Sequence, residues 1–384
     1  MQISEECKRA VEAVKDQIMS ARSRNEYYET EPGIRLLELY PDVIKELSQG
    51  IRTIIVTGTN GKTTTCRFLS SILHEAGIEH IANPEGANMS TRFATLFCDN
   101  YLDAEFGKDT ALLECDEAYL QKILPSVELS CLVITNIFAD QISRFQSEEH
   151  LADIICQGMR SAAPSVCFLS KECHFLEKIL AVPDWRFIFY DDENIQDELP
   201  ALLIPGAYNR ANAMAAWAVA GYLGIDEKMI SAGLIKTKPA FGRFEIIKTD
   251  SCNVTICLAK NPQGFYVINE WLMNEDHVAF SHLILAINKN DGDDNDPGWL
   301  LQNDYKGISS LFNPVYITGN CAEELKEQVS LSGGLSKEIT MEATLGLSSQ
   351  SEGDILVIAN YSAMMTIRQY FRDAAYAEDY WKQD

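Results

Sequence analysis

The sequence predicts an α/β protein built on a doubly wound parallel sheet, with a second, smaller α/β unit after it. Three observations lead there. A glycine loop, Gly58-Thr59-Asn60-Gly61-Lys62-Thr63-Thr64, stands between an apolar run, Thr53-Ile54-Ile55-Val56-Thr57, and a helical pattern with Phe68, Leu69, Ile72 and Leu73 on one side. Continuous apolar runs then recur at α/β spacing, as buried parallel strands do. After a proline-bearing stretch, Lys236 to Arg243, the same rhythm restarts.

Taken in order, residues 1–50 read as a polar helical segment, with Val11, Val14 and Ile18 on one face and a Tyr40-Pro41 turn. These roughly fifty residues are too few for a complete α/β substrate domain ahead of the loop. A central nucleotide-binding domain is expected over 51–240. Its strands are read at Asp109 to Leu113, Cys131 to Thr135, Ser165 to Leu169 and Arg186 to Tyr190, with a helix over 148–163 and an alanine-rich helix over 209–223. A C-terminal domain is expected over 241–384. Its strands are read at Val254 to Leu258, His282 to Ile287, Val315 to Thr318 and Ile355 to Ala359; the stretches 288–297 and 330–353 read as loops.

Composition narrows the classes. The 384 residues are 46% hydrophobic and 23% charged, ordinary for a globular protein of two or three domains. A net charge of −24, from 32 basic and 56 acidic residues, argues against a general nucleic-acid binder. Eleven scattered cysteines with no Cys-x-x-Cys pair give no support to a zinc ribbon or a disulfide framework, and a reducing cytoplasm fits them best. The charged N-terminus resembles no signal peptide, and no apolar run approaches the ~20 residues of a membrane span.

Six constellations carry chemistry. Strand, glycine loop, Lys-Thr and helix together cradle a polyphosphate: loop amides and the helix N-terminus face the anion, Lys62 adds a charge, and the Thr63 hydroxyl can hold Mg²⁺. Only two residues separate Gly58 from Gly61, against four in the common nucleotide loop. Second, Glu114, in Leu113-Glu114-Cys115-Asp116-Glu117, ends a strand where open sheets bind ligands and is the favoured metal carboxylate. Third, past the next strand, Asn136, Asp140 and Gln141 could hold a metal-bound water or orient a carboxylate; an ordinary strand-to-helix cap explains them equally well. Fourth, Asn209 and Asn212 share a helix face, where an amide can pair with an adenine edge. Fifth, Arg243, in Gly242-Arg243-Phe244-Glu245, could reach a γ-phosphate. Sixth, the polar stretch Asn288 to Trp299 has the composition of a calcium loop but neither its spacing nor its terminal glutamate.

In this order, these residues resemble the Mur ligase family of ATP-dependent amide-forming enzymes. Within it they resemble the branch whose ligase subunit works with a separate glutaminase. The strings that carry the likeness to this branch are Asn136-Ile137-Phe138-Ala139-Asp140-Gln141-Ile142-Ser143-Arg144-Phe145, Lys260-Asn261-Pro262-Gln263-Gly264-Phe265, the Asn-rich stretch before Trp299, and Tyr361-Ser362-Ala363-Met364-Met365. The resemblance spans about residue 45 to the C-terminus and implies a Mur ligase-like central P-loop ATPase domain. It implies that ATP phosphorylates a carboxylate, the α-carboxyl of D-glutamate in the lipid II stem peptide. Ammonia from a GatD-like glutaminase partner then attacks the acyl phosphate. A UDP-sugar domain ahead of the loop is expected to be lacking.

By the family pattern Gly58, Thr59, Asn60, Gly61, Lys62, Thr63 and Thr64 serve ATP, with Thr63, Glu114 and Gln141 on Mg²⁺. Asn209 and Asn212 face adenine, Arg243 the γ-phosphate and Asn290 the ribose. Asp293, with Asp296 second, would assist the partner's Cys-His pair. The branch commonly carries a four-cysteine zinc ribbon; this chain has only Cys167 and Cys173 in that region, so no zinc is expected. The Asn-rich stretch opens Lys289-Asn290 where the family has Asp-Asn, and Gln141 replaces a family histidine. Two other readings stay open at this point: a ligase that joins an amino acid instead of ammonia, as folylpolyglutamate-type enzymes do, and a nucleotide-binding scaffold without catalysis.

Overall fold

The computed structural model describes residues 3–24, 31–83, 87–103, 107–138, 147–191, 193–239, 242–274, 280–289 and 297–377. The chain divides into two compact units. The first comprises Met1–Leu203 with Asn209–Thr237, and the second Ile204–Tyr208 with Lys238–Asp384.

The first unit holds a six-stranded sheet in the order β2-β3-β1-β4-β5-β6, all parallel. Its strands are β1 (Arg52–Thr57), β2 (Ile81–Ala82), β3 (Thr110–Glu114), β4 (Glu128–Ile134), β5 (Val166–Leu169) and β6 (Arg186–Phe189). Strands β1 and β3 are apolar without alternation because both sheet faces are covered: Ile54, Ile55, Leu112 and Leu113 are all buried. Ile55 pairs with Leu113 on one side and Leu132 on the other, which brings the carboxyl ends of β1, β3 and β4 to one edge.

Helix Lys62–Glu75 buries Phe68, Leu69, Ile72 and Leu73, the face its sequence marks as apolar. Helix Glu227–Lys236 lies along it, tied by a hydrogen bond from Ser71 Oγ to the Gly233 carbonyl (2.7 Å). The N-terminal helices Glu5–Arg24, Glu31–Leu39 and Val43–Leu47 belong to the same unit, since Val11, Val14, Ile18, Leu36, Val43 and Leu47 join its hydrophobic core. Side chains of this size each contribute about 1.5–3 kcal/mol when fully buried.

The second unit holds a six-stranded sheet in the order β11-β10-β9-β12-β8-β7. Here β7 is Arg243–Lys248, β8 Asn253–Leu258, β9 Phe280–Ala286, β10 Val315–Thr318, β11 Ser336–Glu338 and β12 Asp354–Ala359. All pairings are parallel except β7 with β8. Strand β8 leads to β9 two places away, and β12 returns to fill the gap, making a doubly wound order with one antiparallel edge.

Two sequence expectations need correction. The stretch 330–353 is not all loop: it carries the end of helix Ala322–Leu331, strand β11 and helix Ala343–Ser348. Strand β11 is only Ser-Lys-Glu and exists because β10 offers it a pairing edge, a non-local cause that composition does not carry. Likewise the proline-bearing stretch Lys236 to Arg243, which reads as a linker from its sequence, is not linker to its end: Arg243 is the first residue of β7, because β8 pairs with it. Among the described residues, no helix is long and apolar enough to cross a membrane.

Candidate nucleotide site

Strand β1 ends in the loop Gly58 to Gly61, and Gly61 caps helix Lys62–Glu75. Both loop glycines have positive φ, 121° and 86°. A Cβ on Gly58 would stand 2.4 Å from Thr135 Oγ1, and one on Gly61 2.3 Å from Asn212 Oδ1. Only glycine fits either place, and the second clash shows that helix Ala207–Tyr222 lays Asn212 directly against the loop.

The loop is held open from β4. Asn136 Oδ1 accepts from the Asn60 amide (2.9 Å) and its Nδ2 donates to the Asn60 carbonyl (2.9 Å). Thr135 Oγ1 donates to the same carbonyl (2.6 Å), and Thr59 donates through its amide to the Asn136 carbonyl (3.0 Å). Asn136, for which a metal-bound water, a carboxylate and an ordinary cap were all open partners, works as a two-point brace on the loop. Buried Tyr190, after β6, donates to the Thr135 carbonyl (2.7 Å) and fixes the brace in turn.

Two carboxylates from the end of β3 meet the loop. Thr63 Oγ1 donates to Glu114 Oε2 at 2.8 Å, both groups being buried. The Glu114 backbone is clamped by Asn83, which accepts from its amide (2.8 Å) and donates to its carbonyl (3.0 Å). Glu117, on the short turn Glu117–Tyr119, takes a different partner: its Oε1 accepts from Lys62 Nζ (3.1 Å) and from the Gly58 amide (3.1 Å). Lys62 Nζ also donates to the Gly58 carbonyl at 2.5 Å. Burial works against the Lys62 ammonium, but Glu117 first and Glu114 second outweigh it, so its pKa is held above the ordinary lysine value. Burial also pushes the Cys66 and Cys115 thiols well above their usual range, with the same carboxylates adding to it, so neither is a nucleophile here.

The site's chemistry fits a nucleotide with a divalent cation. Thr63 and Glu114 present hard oxygen donors side by side, as Mg²⁺ prefers, and the glycine loop leads into a helix N-terminus, which favours phosphate. No group of three or more His, Cys, Asp or Glu gathers into a metal cage among the described residues. A cation at Thr63 and Glu114 would therefore complete its shell with phosphate and water oxygens. Replacing Glu114 by glutamine is expected to raise the Mg²⁺ concentration for half-maximal turnover at least tenfold, since loss of a supporting residue alone typically costs about 10–100-fold in metal affinity. A Mg²⁺ titration of ATP turnover reads this.

Asn209 and Asn212 are both buried, with Asn212 Nδ2 donating to Asn209 Oδ1 (3.4 Å). Asn212 stands beside the loop at Gly61, and Asn209 is joined to it. Glu117 is the residue that sequence reading passed over. It lies three residues past Glu114 in a run of acids, and nothing in the run marks which acid meets Lys62. The one local signal is Asp116, whose side chain accepts from the Ala118 amide (3.0 Å) and starts the turn that swings Glu117 back. Gln141 lies outside the described residues, as does Asp140.

In the second unit, Arg243 sits at a bulge in β7 between two residues of positive φ, Gly242 (66°) and Phe244 (60°). Bulges of this kind re-aim a side chain. A Cβ on Gly242 would meet Met364 Sδ at 2.1 Å, so glycine is required by space as well as by φ. Phe244 is held in its unusual conformation by burial and by an edge-on contact with Trp271 (4.5 Å, 81°). Glu245 accepts from the Gly242 amide (3.0 Å) and pairs with Arg368, whose Nη2 lies 2.6 Å from Glu245 Oε1; both side chains are buried. At the carboxyl edge of this sheet, Asn360 accepts from the Asn288 amide (3.0 Å) and donates to its carbonyl (2.6 Å). Asn320 does the same to Lys289, at 2.6 and 3.0 Å. These asparagines fix where the chain leaves β9. Asn290, Asp293 and Asp296, expected beyond that point, lie outside the described residues.

Fold and site together define a phosphate-loop α/β protein with a second doubly wound unit. Residues 56–201 match the model of the Mur ligase middle domain, and residues 258–364 that of the MurT ligase C-terminal domain. The chain thus carries a Mur ligase-type middle domain and a MurT-type C-terminal domain. It is 26% identical to subunit MurT of lipid II isoglutaminyl synthase (glutamine-hydrolyzing) from Streptococcus pneumoniae, over 88% of this chain and 91% of that one. It is 24% identical to the same subunit from Staphylococcus aureus, over 78% and 82%. Among solved structures, MurF from Acinetobacter baumannii superposes with a TM-score of 0.71 at 17% identity, over 89% of this chain and 80% of that one. Mycobacterium tuberculosis folylpolyglutamate synthase complexed with ADP superposes with a TM-score of 0.66 at 15% identity, over 97% and 99%. At those identities the superpositions establish the shared fold.

Proposed function

We propose that this chain is the ligase subunit of a glutamine-hydrolysing amidotransferase that converts the α-carboxyl of D-glutamate in the lipid II stem peptide to an amide. ATP phosphorylates that carboxylate, ammonia from a GatD-like glutaminase attacks the acyl phosphate, and phosphate leaves. The observation that carries this reading is the buried Thr63–Glu114 pair beside the glycine loop, in a chain that also matches the MurT-type C-terminal domain. The relatives named as lipid II isoglutaminyl synthase subunits support the acceptor and the need for a partner.

In this reading Lys62 and the loop amides hold the phosphates, and Thr63 and Glu114 would hold Mg²⁺, which when bound would supply charge neutralisation for phosphoryl transfer. Asn209 and Asn212 serve the nucleotide base. Arg243, set by the Gly242–Phe244 bulge, supplies a guanidinium to the γ-phosphate. Asp293, with Asp296 second, would serve the glutaminase side, and Asn290 the ribose.

Mass spectrometry of lipid II incubated with ATP, glutamine and the paired subunits is expected to show one carboxyl converted to a carboxamide. Ammonium salts should replace glutamine and the glutaminase. Conversion only when a free amino acid is added would overturn the ammonia reading in favour of an amino-acid ligase. ATP left unconsumed under every condition would overturn ligase chemistry itself.

A further inference from the structure

Glu117 has no part in the reading above, yet it is buried to 3% exposure and sits on the groups that phosphate needs. One of its oxygens accepts from both the Lys62 ammonium and the Gly58 amide, each at 3.1 Å. Lys62 itself is turned back onto its loop, with Nζ 2.5 Å from the Gly58 carbonyl and 3.5 Å from that of Thr59. The loop's cation and its first amide are therefore satisfied by a carboxylate of the chain itself. A polyphosphate offers the same chemistry, an oxyanion between a lysine and an amide; the Gly58 amide has one proton to give, and the three of Lys62 already face Glu117 and the Gly58 and Thr59 carbonyls, so phosphate must take them from these partners.

We propose that Glu117 is a built-in counter-anion of the phosphate loop: nucleotide binds by taking Lys62 and the Gly58 amide from Glu117, and the returning carboxylate helps expel the spent nucleotide. This rests on the nucleotide reading of the loop. A purely structural ion pair and a competing anion differ in sign. If Glu117 only propped Lys62 in place, removing its charge would weaken nucleotide binding. If it competes, removing its charge strengthens binding and slows release.

The experiment compares the wild-type chain and Glu117→Gln by calorimetric titration with ADP and Mg²⁺ and, separately, with inorganic pyrophosphate. Steady-state ATP turnover is measured beside them. Glu117→Gln is expected to bind both ligands about tenfold more tightly, the worth of one charge-assisted hydrogen bond no longer contested. KM for ATP should fall with it, and kcat should fall where release limits turnover. Glu117→Ala, read by the same titrations, stands in should the glutamine variant fail to fold. Equal or weaker binding by a folded variant, with the wild type binding ADP, overturns the counter-anion role alone. Failure of the wild type to bind ADP or pyrophosphate overturns it together with the nucleotide reading beneath it.

Discussion

Replacing Lys62 by alanine is expected to lower ATP turnover about a thousandfold, the upper range for removing one preorganised donor from developing charge. That corresponds to roughly 4 kcal/mol of lost transition-state stabilisation. The same substitution strands Glu117, whose other partner among the described residues is the Gly58 amide. Truncating one member of a buried pair costs about 3–5 kcal/mol of stability, so activity could fall by unfolding alone. The double variant Lys62→Ala with Glu117→Gln separates the two causes. It removes the stranded charge and should regain most of the melting temperature while turnover stays near the single variant's. Recovery of turnover in the double variant would show that Lys62 does not serve the phosphates. The sign of the lysine's linkage makes the comparison safe near neutral pH. Its folded pKa is raised, so its stabilising contribution is fully present below the unfolded value of about 10.4 and is lost only as pH climbs past it.

Replacing Arg368 by alanine is expected to give the largest loss of stability in the second unit. It removes the guanidinium that pairs with the buried Glu245 carboxylate, which also accepts from the Gly242 amide. The cost should again be about 3–5 kcal/mol, because truncating one member of a buried ion pair takes the counter-charge from the other. For a unit of this size that is a fall in melting temperature of roughly 6–20 °C. Differential scanning calorimetry of the whole chain reads the shift. A paired change, Arg368→Met with Glu245→Gln, should cost much less, since neither charge then needs compensation. Because Glu245 also holds the Gly242 amide, Arg368→Ala should loosen the bulge that carries Arg243, and ATP turnover should drop below what the folded fraction explains. A melting temperature unchanged within error would show that the pair is not buried as described.

Much of the central site was legible because its parts are neighbours in the chain. The loop residues 58–64 lie in a row, and the apolar strand before them and the amphipathic helix after them are local patterns. Glu114 was legible for a related reason: a carboxylate that ends a run as apolar as Ala111-Leu112-Leu113 must lie at a sheet edge. Asn136 was visible as a polar residue past a strand, but its task was not. An amide side chain reads the same whether it holds a water or braces a loop, and only its two bonds to Asn60 distinguish these. The second unit's central strands were legible as buried apolar runs, whereas β7 and β11 were not, since both owe their existence to pairing partners far along the chain.

The sequence by itself determined the two α/β units, the phosphate loop with Lys62 and Thr63, and Glu114 as its acidic partner, because hydrophobic periodicity and glycine placement act over a few residues. Only the tertiary structure decided that Glu117 takes Lys62, that Asn212 lies against Gly61, and that Glu245 and Arg368 hold the bulge carrying Arg243. Each of these pairs a buried polar group with a partner that the chain brings from another element. Which partner arrives is set by sheet order and helix packing, the two quantities that no local stretch of sequence encodes.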